Sequence, residues 1–150
     1  MTAATPPSAY ESADLLLRLY EMRREPALRA ARDWFFFHFH PQSADEVFAT
    51  WVGADSARFR MVTSYWDMVA ALVRRGAIDA EMFHATNTEY VPLIAKLEPF
   101  LAELRRRSGL PEYLREVEAL VREMPDAERR LDVMRRYMAL KAKEAAAAAC

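Results

Sequence analysis

Five side chains in this sequence could do chemistry together in one pocket: Trp34, His38, Tyr65, Asp67 and His84. Imidazole and carboxylate groups transfer protons, and aromatic rings line apolar cavities, so such a pocket would suit a small molecule or an enzyme substrate.

Asp67 lies between Trp66 and Met68 on a very apolar segment, and a buried carboxylate needs a partner. We expect Arg32 or Arg60 to supply it, as a structural ion pair rather than as part of a catalytic acid.

The histidines also raise the question of a metal site. His38 and His40 could offer two imidazoles, and His84 with Asp45 or Glu46 could complete the ligands. However, a His-x-His pair points both rings to one face only in extended backbone, and this pair ends a predicted helix. We expect no metal and no cofactor here, with the histidines acting as polar caps beside an aromatic cluster.

The motifs of common catalytic sites are missing. The sequence has no Gly-x-Ser-x-Gly elbow and no His-Glu-x-x-His pair, and its three glycines stand too far apart for a phosphate-binding loop. The only cysteine is Cys150, at the last position, where we expect no preorganised nucleophile. These observations favour a protein without catalytic activity.

Composition and charge narrow the possible partners and the location. The chain has 150 residues, of which 53% are hydrophobic, and its 21 basic and 22 acidic residues almost balance. This balance gives no broad basic field for nucleic acid or anionic lipid. No apolar segment approaches the length of a membrane span, and a single cysteine indicates a reducing compartment. We therefore expect a cytoplasmic protein with no membrane partner.

One segment of the sequence resembles a DNA-binding unit. Residues 43–68 have the form of a helix-turn-helix, with a short helix, a turn at Gly53 and a second helix. A recognition helix must present polar side chains to the groove, whereas this second helix carries two apolar stripes. We expect no nucleic-acid partner.

The elements that must position these side chains are predicted to be helices. Glycine is rare, good helix formers dominate, and apolar residues recur at spacings of three and four. We predict an all-α fold, a compact bundle of about six to seven helices around a central apolar helix at about residues 55–75. Residues 1–7 are expected to be a flexible leader, residues 8–143 a single helical domain, and residues 144–150 an alanine-rich tail that frays.

Local signals predict where several helices begin and end. Capping boxes at residues 43–46 and 86–89 predict two helix starts, and Gly76 predicts the end of the central helix. Pro99 should kink or split the long helix that follows residue 89, and Pro111 should open the next one. Arginine clusters at predicted C-termini, such as residues 105–107, are interpreted as complements to the helix dipole rather than as phosphate contacts.

The aromatic block from Trp34 to Phe39 covers more than one face of a helix. Either neighbouring helices surround all of it or part of it lies at a subunit contact. We favour partial exposure at a homodimer interface.

Three groups of residues form a recognisable pattern in the first 120 positions: Leu16-x-x-x-Tyr20-x-x-Arg23-Arg24; Ala31-Arg32-x-Trp34-Phe35; and Tyr65-Trp66-x-Met68-Val69-x-x-Leu72-Val73-x-x-Gly76-x-Ile78-Asp79 with Phe83. Together they resemble a family of small bacterial helical proteins catalogued as a domain of unknown function, DUF4760. The resemblance spans roughly residues 15–121, and the chain lacks the tryptophan expected within residues 90–97. The resemblance implies a helical fold and no activity, so no functional residues are carried over.

Two functions therefore remain. The first is a non-enzymatic helical interaction or scaffold protein that self-associates through the Trp34–Phe39 region. The alternative is a small-molecule-binding module or an unrecognised enzyme, with a pocket near Trp34, Tyr65, Asp67 and His84. A closed cavity with converging polar groups would favour the alternative, and a flat apolar patch across a twofold axis would favour self-association.

Overall fold

A computed structural model describes residues 5–150, and this part of the chain forms eight α-helices and no strand. Residues 1–4 of the expected leader lie outside the described residues. The helices are α1 (Ala9–Arg24), α2 (Pro26–Phe37), α3 (Ala44–Val52), α4 (Ser56–Arg74), α5 (Ala80–Thr86), α6 (Tyr90–Ser108), α7 (Arg115–Arg122) and α8 (Ala127–Ala148). The predicted all-α class is confirmed.

The predicted central helix, α4, occupies the middle of the bundle. It packs against α2, α3, α5 and α7, while α6 packs against α3, α7 and α8. One of its apolar stripes, which includes Phe59 and Trp66, is buried. The second stripe is only partly covered, because Met61 and Met68 are exposed on either side of buried Tyr65. The core thus has two central helices, α4 and α6, and each has one face that the other helices do not fully cover.

Of the two predicted capping boxes, the first is largely correct and the second is wrong. Ser43 caps α3, its hydroxyl accepting from Glu46 N at 3.2 Å, although the Glu46 carboxylate accepts from Gln42 N rather than from Ser43 N. The Thr86 hydroxyl instead bonds back to Met82 O within α5. Helix α6 begins only at Tyr90, and no side chain caps its first turn. The carboxylate of Glu89, the last residue of the predicted box, is therefore available to bind other groups.

Pro99 does not split its helix in two, one of the two outcomes predicted for it, and the prediction that Pro111 opens a helix is wrong. Helix α6 runs through Pro99 without a break, so it is not split in two. Pro111 opens no helix: α7 begins at Arg115, after a turn in which buried Leu114 adopts the left-handed conformation with φ 55°. Gly76 follows α4 with φ 77°, as predicted, because glycine takes this conformation without a Cβ clash.

The arginines predicted at helix C-termini lie in the last turns of α1, α4 and α6. They also join helices, since Arg74 pairs with Glu116 of α7 at 2.6 Å and Arg105 pairs with Glu118 at 2.6 Å. At the other end of the chain, α8 continues to Ala148, and its side chains from residue 143 onward are exposed. Within residues 5–150, no helix is long and apolar enough to cross a membrane.

Candidate functional site

The most connected polar group in the bundle is the carboxylate of Glu89, just before α6. Arg32 of α2 donates to it from Nε at 2.8 Å and from Nη2 at 2.5 Å, and Trp66 Nε1 of α4 donates at 3.0 Å. Arg23 of α1 approaches the same carboxylate at 3.4 Å. The side chains of the three ion-pairing residues are only 18–19% exposed, so this cluster holds four helices together at one end.

The two arginines of this cluster also bind the surrounding backbone and side chains. Arg32 Nη1 donates to the carbonyl of Arg23 at 3.3 Å, and Arg23 Nη1 donates to Asn87 Oδ1 at 3.3 Å. The Arg23 guanidinium also lies 5.3 Å from the centre of the Trp66 ring. The hydrogen bonds that Arg32 donates to Glu89 raise the pKa of Arg32.

A groove of about 420 Å³ runs above the Glu89 cluster, between α2, the start of α6 and α8. Arg32 and Glu89 form part of its polar wall, and Phe37 and Tyr137 are among its apolar lining residues. Phe37 is 50% exposed and Tyr137 is 47% exposed. The groove is open to solvent along this apolar edge, between α2 and α8.

The apolar edge continues along α8 as an exposed seam formed by Val133, Tyr137 and Leu140, with exposures of 50%, 47% and 60%. Their spacing of four and then three residues places them on one side of the helix, which is the pattern of a helix–helix contact. The opposite side of α8, which includes buried Leu131, packs on the bundle. The seam is thus an exposed helical face with no covering element among residues 5–150.

The aromatic block predicted to lie at a subunit contact is mostly internal. Phe35 and Phe39 are buried, and Trp34 stacks on Phe39 with ring centres 5.1 Å apart. Phe36 packs partly buried against Phe35 at 5.0 Å. Of the aromatic side chains in this block, Phe37 is the one that the fold leaves half exposed.

The five side chains predicted to form one pocket have different neighbours. His38 lies at the surface, 3.5 Å from Asp33. Tyr65 donates its hydroxyl hydrogen to Leu19 O at 2.8 Å, and burial raises its pKa to about 12. Because Tyr65 and Asp67 are two positions apart on α4, they point to different sides of that helix. None of the five lines the groove above Glu89, so the structure supplies no support for a pocket built from them.

The ion pair predicted for Asp67 is wrong. Arg32 is bound to Glu89, and Arg60 donates to Ser56 at 3.1 Å. Asp67 Oδ1 instead accepts from the backbone N–H of Val117 at 3.0 Å, in the first turn of α7. Helix α7 has no side-chain cap of its own, so Asp67 caps it from α4. Burial raises the pKa of Asp67, and the hydrogen bonds from α7 oppose that shift.

His84 also makes a structural contact. Its Nδ1 lies 2.5 Å from the hydroxyl of Tyr90, which is 1% exposed, and burial lowers the pKa of His84. His40 Nε2 lies 3.1 Å from the carbonyl of Phe37 at the end of α2. In the described part of the chain, no group of three His, Cys, Asp or Glu side chains is placed to hold a metal ion.

The buried amine of Lys96 was not among the functional residues predicted from the sequence. Lys96 of α6 is 7% exposed, and its Nζ donates to Phe35 O at 2.5 Å and to Phe39 O at 2.6 Å. Burial lowers the pKa of Lys96 to about 7. The sequence could have revealed it, because Lys96 lies inside the otherwise apolar run from Leu93 to Leu97, where a charged residue would enter the core.

The α8 seam could also have been predicted from the sequence, because its apolar residues are spaced by four and then three positions.

Comparison with protein families identifies the chain. The model of the family described as "Domain of unknown function (DUF4760)" matches residues 8–124, so the chain belongs to this family. The match includes helices α1 to α7 and ends before α8. No curated protein and no solved structure matches the chain.

Proposed function

We propose that this member of the DUF4760 family is a non-enzymatic helical interaction module that self-associates through α8. The supporting observation is the exposed seam of Val133, Tyr137 and Leu140, continued by Phe37 across the groove. Exposed aromatic and aliphatic side chains on a rigid face are typical of the centre of a protein interface. The interface proposed here therefore keeps only Phe37 of the Trp34–Phe39 block and places its centre on α8.

The occupant that fits this seam is a second copy of α8, running antiparallel. Tyr137 is at the centre, with Arg130 seven residues before it and Glu144 seven residues after it. Two antiparallel helices that cross at Tyr137 would place each Arg130 opposite the partner's Glu144, and would bring each Val133 to within one residue of the partner's Leu140. A twofold contact must be self-complementary in this way. Charge complementarity thus supports a second copy of this chain as the partner.

The two charged residues are able to change partners at low cost. Arg130 now binds Asp126 at 2.6 Å and Glu144 binds Lys141 at 2.9 Å, each within one turn of α8. Such solvent-exposed pairs contribute little to stability. Forming the interchain pairs would therefore give up little, while the apolar seam leaves water.

Analytical ultracentrifugation over a range of protein concentrations tests this proposal. We expect a dimer at tens of micromolar, and a monomer for Tyr137→Glu, which places a charge at the centre of the seam. Tyr10→Glu is the matched control, because Tyr10 is 82% exposed on α1, away from α8. A wild-type monomer at all concentrations, or a dimer unchanged by Tyr137→Glu, would contradict the proposal.

A charge exchange tests the antiparallel arrangement. Arg130→Glu alone and Glu144→Arg alone each place like charges opposite one another, so both should weaken the dimer. The double variant Arg130→Glu/Glu144→Arg restores opposite charges and should recover most of the affinity. Additive weakening in the double variant would show that these two positions do not meet.

A further inference from the structure

Helix α1 carries an apolar face on the side that does not pack on the bundle. Tyr10, Leu17 and Tyr20 lie on it with exposed fractions of 82%, 68% and 57%. They are seven and then three positions apart, with Ala13 between the first two, which is the heptad spacing of paired helices. We call these four residues the α1 face. It extends along most of the helix, and no element among residues 5–150 covers it.

The opposite side of α1 is held by the bundle. Ser12 and Leu19 are buried there. The Ser12 hydroxyl accepts from Asp79 N at 3.0 Å, and the carbonyl of Leu19 accepts from the Tyr65 hydroxyl at 2.8 Å. These contacts fix the rotation of α1, so the α1 face cannot turn inward. Its two aromatic rings and its leucine can leave water only when another molecule covers them.

Acidic side chains border the α1 face along its outer edge. Asp14 lies three positions before Leu17 and Glu21 lies four positions after it, so both are beside Leu17 on the helix surface. Asp14 forms an exposed ion pair with Arg18 at 3.0 Å, and Glu21 forms none with the described residues. A partner that covers the apolar residues therefore meets two carboxylates at this edge.

A second copy of α1 fits this face poorly. In an antiparallel pair, equivalent edges of the two helices meet, so Asp14 and Glu21 of one helix would face the same acids of the other. In a parallel pair, the two copies of Arg24, which is exposed at the end of the face, would meet instead. Like charges across a contact weaken it and select against that partner.

Helix α8 of another copy has the complementary charge. Arg129 lies four positions before Val133 and Arg136 lies three positions after it, so both are beside the α8 seam. In the dimer proposed above, however, that seam is covered by its own counterpart. Each proposed dimer would then present two α1 faces to other proteins.

We propose that the α1 face is a docking site for a basic amphipathic helix of another protein. Apolar residues of that helix, repeating at heptad positions, cover Tyr10, Leu17 and Tyr20. Lysine or arginine residues beside them pair with Asp14 and Glu21. This interaction goes beyond the self-association proposed above, because it uses a different helix and a different partner.

Two synthetic helical peptides, each three heptads long, provide the probes. Both carry leucine at the first and fourth heptad positions. One has lysine at the two flanking positions of every heptad and the other has glutamate there, so like charges keep each peptide from pairing with itself. Fluorescence anisotropy measures their binding to the full chain. We expect the lysine peptide to bind at least about tenfold more tightly than the glutamate peptide.

Three variants locate the site, and none of the substituted side chains is buried. Leu17→Glu should weaken binding of the lysine peptide at least about tenfold, because it places a charge at the centre of the face. Tyr137→Glu, on the α8 seam, is the matched control and should leave this binding unchanged. Asp14→Lys/Glu21→Lys should reverse the preference, so that the glutamate peptide binds more tightly.

Several outcomes would overturn the proposal. The first is an absence of saturable binding by the lysine peptide, or binding that Leu17→Glu leaves unchanged. Loss of binding in Tyr137→Glu would place the peptide on α8 instead. Oligomers that Leu17→Glu disrupts in ultracentrifugation would assign the α1 face to a second copy of this chain. Failure of the proposed α8 dimer is detected separately, since a monomeric wild type still presents the α1 face to the peptides.

Discussion

The carboxylate of Glu89 accepts two hydrogen bonds from the guanidinium of Arg32, at 2.8 and 2.5 Å, across 57 positions of sequence. This two-point contact joins α2 to the start of α6, and Trp66 adds a third donor from α4. A planar fork meeting a planar carboxylate has one good geometry, so the contact specifies both the distance and the orientation of the two helices.

The first prediction tests that contact. Glu89→Gln leaves two arginines, 18% and 19% exposed, without their negative partner. Removing one member of a largely buried pair costs about 3–5 kcal/mol, and the amide oxygen should recover part of this. We expect the free energy of unfolding in denaturant to fall by about 2–4 kcal/mol. Glu81→Gln, an exposed position on α5 without an ion pair in the described chain, should change it by less than about 0.5 kcal/mol. Equal effects of the two substitutions would refute the assigned role of Glu89.

The second prediction concerns Asp67. An asparagine can still accept the Val117 N–H and no longer carries a half-buried charge, so Asp67→Asn should change stability by less than about 1 kcal/mol at pH 7. Asp67→Ala removes the acceptor and should cost about 1–2 kcal/mol. A loss above about 2 kcal/mol for Asp67→Asn in denaturant unfolding would show that the charge itself is needed.

The pH dependence of the same variant provides an independent check. The folded-state pKa of Asp67 is raised above its ordinary value of 3.8, so its favourable contribution is present at lower pH and is lost as pH rises through the folded pKa. The stability of Asp67→Asn relative to wild type should therefore improve from acidic to neutral pH. A relative stability that is constant or that declines over this range would contradict the raised pKa.

The third prediction uses the linkage between Lys96 and pH. Its pKa falls from 10.5 to about 7 on folding, so between these values the unfolded chain holds a proton that the folded protein has released. Stability should therefore rise with pH, by up to about 1.4 kcal/mol per unit, and this contribution is lost as pH falls toward 7. Lys96→Met lacks the effect, while the titratable side chains that line a groove with it, His40, Arg135 and Lys143, are unchanged. Parallel stability curves for the two proteins from pH 7.5 to 9.5 would refute the lowered pKa.

The fourth prediction separates folding from association at the end of α8. Residues 144–150 are exposed, so their deletion should shift the melting temperature by less than about 4 °C at concentrations where the protein is monomeric. The deletion also removes Glu144 and should weaken the proposed dimer, as measured by ultracentrifugation. A larger thermal shift in the monomer would show that this segment stabilises the bundle.

The sequence was sufficient to predict the fold class and many helix boundaries. The cap at Ser43 and the end of α4 at Gly76 each depend on residues within about four positions, because caps and turns are made of local hydrogen bonds. The buried stripe of α4 was also visible, since its spacing matches the helical repeat. The prediction from local sequence failed for the segment from Thr86 to Glu89. These residues match the pattern of a capping box, yet the Glu89 carboxylate binds arginines from two other helices.

Packing between distant segments decided the rest. Lys96 caps α2 and Asp67 caps α7, and no spacing rule connects either residue with its acceptor or donor, which lie about 50 to 60 positions away. Likewise, the aromatic residues of the segment 34–39 and the stripe on α8 are both apolar in sequence, but among the former only Phe37 is exposed, whereas the whole stripe on α8 is exposed. A buried polar group must be satisfied by whatever the fold brings beside it, and a helix face is covered or left open by its neighbours. These outcomes depend on how helices pack, which local sequence patterns do not encode.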